Sequence, residues 1–252
     1  MQPSLSWAGR RLQAILHTVY PPRCLTCAAV VTQDHALCPD CWREAVFIAG
    51  PVCDQCGIPL PGAAQDAGAD DLTCDDCLTV ARPWGRGRAA LLYQGTGRRV
   101  VLAIKHGDRQ DMVRPAARWL ATAAAPLIRP DVLLVPVPLH WSRLMARRFN
   151  QSAALARALG AHAGVACCPD ALIRTRVTAS QGRTSRSARF ANLDGAMAPH
   201  PRRGARLAGR RVLLVDDVMT SGATLAAAAD ACLGAGAAGV DVAVLARVAK
   251  QD

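Results

Sequence analysis

Val212-Leu-Leu-Val-Asp-Asp-Val-Met-Thr-Ser-Gly-Ala-Thr224 reads as a strand, a turn and the opening of a helix. Four consecutive apolar residues, Val212 to Val215, suit a strand covered on both faces, as in a parallel sheet. Asp216 and Asp217 follow at its carboxyl end, and Thr220, Ser221, Gly222, Ala223 and Thr224 make a small-residue turn into a helix over 225–234. Ligands of open α/β sheets bind outside the carboxyl ends of the strands. Free amides at a helix start form an anion nest, hydroxyls add donors, and Gly222 permits close approach. A phosphate can sit in such a turn while the two carboxylates accept hydrogen bonds from sugar hydroxyls beside it.

The text on either side repeats the same alternation. Strands are expected at 89–93, 131–135, 165–168, 212–216 and 240–245, with helices at 98–105, 111–125, 142–159 and 221–234. Strands alternating with helices imply right-handed crossovers and an α/β fold, a mainly parallel sheet flanked by helices. A second strand ending, Asp131-Val-Leu-Leu-Val-Pro-Val-Pro138, runs into Leu139, His140 and a basic helix with Arg143, Arg147 and Arg148. No catalytic role is assigned to His106, His140 or His162.

Residues 21–83 are written differently. Cys24/Cys27, Cys38/Cys41, Cys53/Cys56 and Cys74/Cys77 are four C-x-x-C pairs. Each pair can act as a knuckle aiming two thiolates at one ion, and two knuckles complete a tetrahedral site. Two structural zinc ions follow, since closed four-cysteine sites leave no open position for chemistry. Sequential pairing joins Cys24, Cys27, Cys38 and Cys41, then Cys53, Cys56, Cys74 and Cys77; a cross-brace of first with third pair is the alternative. Cys167, Cys168 and Cys232 fall in apolar surroundings and read as core residues. Pro61 to Asp71 reads as a loop. Ahead of the cysteines, Leu5, Trp7, Leu12, Ile15, Leu16 and Val19 form the stripe of an amphipathic helix over 1–20. The expected organisation is therefore that helix, a double zinc ribbon over 21–83, and the α/β domain over 84–252.

With 252 residues, 51% of them hydrophobic, the chain can bury a large core, which excludes disorder throughout. No apolar run is long enough to span a membrane, and the first twenty residues lack the apolar block and cleavage site of a secretory signal. A cytoplasmic protein is the expectation. The net charge of +11 is uneven. Residues 1–83 sum to −4 and residues 84–252 to +15, while within 137–211 fourteen Arg face only Asp170 and Asp194. That concentration favours a polyanionic partner, a phosphorylated metabolite or a nucleic acid.

The run from Val212 to Thr224 closely resembles the phosphoribosyl diphosphate (PRPP) signature of type I phosphoribosyltransferases. The resemblance implies that fold, with Asp216 and Asp217 on the ribose hydroxyls, Thr220 to Thr224 on the 5-phosphate, and Pro136, Val137, Pro138 and Leu139 at the diphosphate, together with magnesium. Val135-Pro-Val-Pro-Leu-His140 and Arg147-Arg-Phe-Asn-Gln151 resemble a narrower group, the ComF proteins of bacterial competence and their gluconate-associated relatives. Their usual text has Gly where this chain has Arg148. The ComF layout also includes N-terminal zinc ribbons, a Lys near Gly-Asp (Lys105, Gly107, Asp108), and an Arg-rich segment with Gln181, Arg189 and Asn192. Lys105 and Arg189 are carried over as further phosphate contacts. Residues 174–190 correspond to the family's mobile loop, where cations would screen the leaving group. The family implies PRPP, single-stranded DNA and proteins of DNA uptake as partners. A phosphoribosyltransferase acting on a base or amine, and a zinc-ribbon adaptor with a non-catalytic transferase fold, are the alternative functions. The residues after Thr224 suffice for one helix and one strand, so a C-terminal hood selecting a base is not expected.

Overall fold

The computed structural model describes residues 17, 19–62, 72–105, 109–147, 149–176, 193 and 195–249. Nearly all of the expected helix over 1–20, most of the loop from Pro61 to Asp71, Gly107, Asp108 and Arg148 lie outside the described residues. So do Asn192 and residues 177–190 of the loop expected over 174–190, with Gln181 and Arg189, while Arg174 at its start ends a strand instead. The side chains of Arg143 and Arg147 also lie outside the described residues. The chain divides into two compact units, Met1–Glu44 and Ala45–Asp252.

In the first unit Cys38 caps a short helix, α1 (Pro39–Arg43), its sulfur accepting from the Cys41 amide. The second unit opens with an equivalent helix, α2 (Asp75–Thr79), which begins after Cys74. A five-stranded sheet follows: β1 (Gly87–Leu92), β2 (Leu133–Pro136), β3 (Ala166–Cys167), β6 (Arg211–Met219) and β7 (Gly239–Arg247). The order is β1-β7-β6-β2-β3 and every pair is parallel. Leu133 to Pro136 pair with Val212 to Val215 in the middle of the sheet, where both strands are buried. A separate antiparallel hairpin joins β4 (Leu172–Arg174) to β5 (Met197–Pro199).

The helices are α3 (Gly95–Lys105), α4 (Val113–Ala124), α5 (Trp141–Arg147), α6 (Gln151–Ala163) and α7 (Ala223–Gly234). α4 and α6 pack together on one face, where Gly160 of α6 stands against Leu134. On the opposite face Leu225, Ala226, Ala229 and Cys232 of α7 share a core with Leu133, Val135, Val212 and Leu214. The chain therefore leaves β2 toward β3 and β6 toward β7, in opposite directions across the sheet. That reversal between neighbouring strands is the point at which open α/β sheets present a ligand crevice.

The α/β fold with a mainly parallel sheet is as the strand and helix alternation implied, with two corrections inside it. The single helix expected over 142–159 is two, because Asn150 leaves helical geometry (φ −100°, ψ 110°) and caps α6, its side-chain oxygen accepting from the amides of Ser152 and Ala153. The helix expected from 221 starts at Ala223, because Gly222 sits in the left-handed region at φ +84°. A Cβ on Gly222 would also lie 2.7 Å from Arg82 Nη1 and 3.1 Å from the Trp84 ring. Of the three cysteines read as core residues, Cys168 and Cys232 are buried, while Cys167 is only partly so.

Candidate functional site

β6 carries Asp216 and Asp217 to the carboxyl edge of the sheet, both buried. Asp216 Oδ1 accepts from Ser152 Oγ at 2.7 Å and from the Asp217 amide at 2.9 Å. Asp217 Oδ2 accepts from Gln151 Nε2 at 3.2 Å and lies 3.5 Å from Lys105 Nζ. The start of α6 and the end of α3 thus hold one oxygen of each acid. Among the described residues, Asp216 Oδ2 and Asp217 Oδ1 have no protein donor, so one oxygen of each acid is left for hydroxyls or a hard cation. Burial, and then the negative charge of Asp217, push the Asp216 carboxyl up to about 7, against the pull of Ser152, the Asp217 amide and Lys105.

The turn after β6 is polarised. Its carbonyls are drawn toward two arginines: Arg247 Nη1 donates to the oxygens of Met219 (3.2 Å) and Thr220 (2.7 Å), and Arg82 Nη1 to that of Ser221 (2.7 Å). The amides of Ser221 and Gly222 have no acceptor among the described residues, and the Ala223 amide meets Ser221 Oγ at 3.4 Å. Oxygens that would repel an anion are occupied while adjacent N–H groups are not, which is the electrostatic arrangement of an anion nest.

The stretch after β2 offers fewer donors than its four named residues suggest. Pro136 and Pro138 carry no N–H, and the Val137 amide is taken by Val215 O at 2.9 Å. Leu139 and His140 are left as its amide donors. The His140 ring is buried and bonds to Ser142, with Nδ1 2.9 Å from Oγ and accepting from the amide at 3.2 Å, so it caps the start of α5.

The cysteines assemble in sequential order. Cys24, Cys27, Cys38 and Cys41 form one tetrad and Cys53, Cys56, Cys74 and Cys77 another, the sulfurs of each within 4.8 Å of one another. The two knuckles repeat the same local structure. Cys24 N donates to Ala29 O and Ala28 N to Cys24 O, just as Cys53 N donates to Ile58 O and Gly57 N to Cys53 O. Ala28 (φ 62°) and Gly57 (φ 67°) both take the left-handed turn that follows the second cysteine. Four sulfurs at this separation fit a closed tetrahedral zinc site, with the metal supplying folding stability rather than an open coordination position.

The second tetrad is part of the sheet's own core: Cys53, Cys56, Cys77 and Trp84 cluster with Val240, Val242 and Val244. Its knuckle rests on β1, where a Cβ on Gly87 would lie 2.5 Å from Gln55 O and one on Gly57 2.9 Å from Ala89 N. The hydrogen bond from Cys56 lowers the Cys53 thiol to about 4, whereas that bond and burial raise Cys56 against the pull of Arg247.

Of the residues read from the sequence as site residues, the structure brings Asp216, Asp217 and Lys105 together beside the turn 220–224. Arg189 lies outside the described residues. Four residues went unassigned: Gln151 and Ser152, which hold the acids, and Arg82 and Arg247, which hold the turn. The polar cluster Asn150-Gln-Ser152 opening an Ala-rich helix was a signal for the first two.

Fold, acid pair and cysteine tetrads together define a phosphoribosyltransferase-type domain preceded by a double zinc ribbon. The double zinc ribbon domain family matches residues 15–78, and the phosphoribosyl transferase domain family matches residues 152–252. DNA utilization protein YhgH of Salmonella typhi is 33% identical over 252 residues, covering 97% of each chain. Its counterpart in Escherichia coli K12 is 31% identical over 251 residues, again with 97% of each covered. Competence protein F of Haemophilus influenzae is 27% identical over 209 residues, 81% of this chain and 87% of that one. The chain belongs to this ComF family, that of DNA utilization protein YhgH and competence protein F. Solved structures similar to it include the allosteric regulatory enzyme of purine biosynthesis (TM-score 0.39, 21% identity, 57% of this chain and 30% of that one). Another is L. donovani hypoxanthine-guanine phosphoribosyl transferase (TM-score 0.32, 18% identity, 59% and 71%).

Proposed function

We propose that the protein binds PRPP at the carboxyl edge of β2 and β6 and handles single-stranded DNA in a DNA-utilization process. The observation that carries the PRPP reading is the polarised turn beside two buried acids. Free amides at Ser221 and Gly222 suit the 5-phosphate. The unclaimed oxygens of Asp216 and Asp217 suit the ribose hydroxyls, and the Leu139 and His140 amides the diphosphate. Magnesium bound with PRPP would offset the diphosphate charge while keeping much of its water shell. Lys105, next to Asp217, balances the acid pair in its absence.

The DNA half of the reading rests on the basic zone and on the names of the YhgH and competence protein F relatives. Arg202, Arg206 and Arg211 are exposed, and Trp141 stands 70% exposed at the start of α5, a surface on which a base can stack. A cytoplasmic location accords with that role. No described helix is long and apolar enough to cross a membrane.

The test is a titration of the purified protein with PRPP and magnesium, then with a single-stranded oligonucleotide at several salt concentrations. PRPP binding, and DNA affinity falling steeply with salt, support the reading; no PRPP binding removes it. Diphosphate release across a panel of bases and amines would instead favour a transferase.

A further inference from the structure

Arg247 ends β7 with only 2% of its surface exposed, and among the described residues no carboxylate pairs with it. A buried guanidinium without a counter-charge is strongly disfavoured. Its hydrogen bonds point two ways. Nη1 gathers the carbonyls of Met219, Thr220 and Val248, while Nη2 lies 3.9 Å from Cys56 Sγ and Nε is left without a partner. Arg82 repeats the arrangement from the other side. Nη1 holds Ser221 O and the guanidinium stacks 5.3 Å over Trp84, which clusters with Cys53, Cys56 and Cys77, while Nε and Nη2 are buried and unpartnered. Zinc held by four thiolates leaves a net charge of about −2. Two buried cations beside such a centre supply the charge that it lacks, and it supplies theirs.

We infer that Arg82 and Arg247 are positioning residues that couple the second cysteine tetrad to the phosphate turn, so that zinc there and PRPP at the turn stabilise each other's binding. The inference rests on the PRPP reading above and extends it to the metal. When the thiolates carry the zinc, Arg247 is fixed by the Cys56 sulfur and Arg82 by the Trp84 ring beside the tetrad, and together they hold three turn carbonyls away from the phosphate. Without that anion the same arginines lose their counter-charge, and the turn loses its restraint. Coupling between two ligands is reciprocal, so it can be read from either end.

The experiment uses the full-length zinc-loaded protein and follows zinc release to a chelator with and without PRPP and magnesium, alongside calorimetry with PRPP. In the wild type, PRPP should slow release of one of the two zinc ions about tenfold, within the usual range of such couplings. Arg247→Met should abolish that protection and weaken PRPP binding while still purifying with both zinc ions, and Arg247→Lys should restore part of both. Arg82→Met, at a less buried position, should give a smaller loss of the same kind. If wild-type protein binds PRPP but shows no protection, or Arg247→Met keeps wild-type protection, the coupling is wrong and the PRPP reading stands. If wild-type protein does not bind PRPP, both fall.

Discussion

Ser152 Oγ donates a 2.7 Å hydrogen bond to Asp216 Oδ1, tying the first turn of α6 to the acid at the end of β6. The bond favours the ionised carboxyl, against the burial and the Asp217 charge that hold it up at about 7 even so. Binding that needs the ionised pair should therefore weaken below about pH 7, by up to about tenfold per pH unit for one proton taken up. Ser152→Ala should move that midpoint upward by about one pH unit. PRPP dissociation constants measured from pH 6 to 9 for both proteins check this; superimposable profiles would count against it.

Asp216 also sets a stability gradient. The folded carboxyl holds its proton up to about 7 and the unfolded one only to the ordinary 3.8, so the folded state binds more protons between these values. Stability then falls as pH rises from about 4 to about 7 and stays lowered above. Asp216→Asn lacks this loss and should be more stable than the wild type at pH 8 by on the order of a few kcal/mol, and so melt higher. The gap should narrow by pH 5.5. Thermal melts at the two pH values read it directly.

The two tetrads should behave differently when broken. Cys27→Ser lies in the first compact unit, whereas Cys56→Ser removes a sulfur inside the core that also holds Val242 and Val244. Each variant should retain about one zinc ion per chain. Cys27→Ser should keep its affinity for PRPP within about twofold, and Cys56→Ser should lose most of it, with a lower melting temperature. Metal analysis and calorimetry on the same preparations separate the outcomes.

Ala28 and Gly57 occupy the same left-handed turn in the two knuckles, so exchanging the residue types should have opposite effects. Ala28→Gly relieves a strained φ and should stabilise the first site by about 1 kcal/mol. Gly57→Ala would place a Cβ 2.9 Å from Ala89 N and 3.0 Å from Arg88 C, backbone that cannot move aside, and should cost more than that. Zinc retention against a chelator measures both.

What the sequence displayed and what it hid follow from the range of the forces involved. Val212 to Val215 and Leu133 to Val135 are uninterrupted apolar runs, and only burial on both faces makes sense of them, so the parallel sheet was legible. The C-x-x-C pairs specified ligation because two thiolates three residues apart already make a knuckle. The break between α5 and α6 was not read, because the basic-apolar rhythm of 142–159 continues across it and only the Asn150 cap interrupts the helix. β4 and β5, at three residues each, are too short to show a period. Arg247 is the clearest case of hidden information. An Arg ending a strand ordinarily reaches solvent, and its turn back to Cys56 and Thr220 is set by residues distant in the chain.

The most direct measurement is calorimetric titration of PRPP with magnesium, at pH 8, into the wild type and into a variant carrying Asp216→Ala and Asp217→Ala. Saturable one-site binding by the wild type and at least about a hundredfold weaker binding by the variant is the expected result, since each acid supplies a charged acceptor in a buried setting. Equal affinity in the two proteins would contradict the assignment of the acid pair to the ribose, and with it the site at the end of β6.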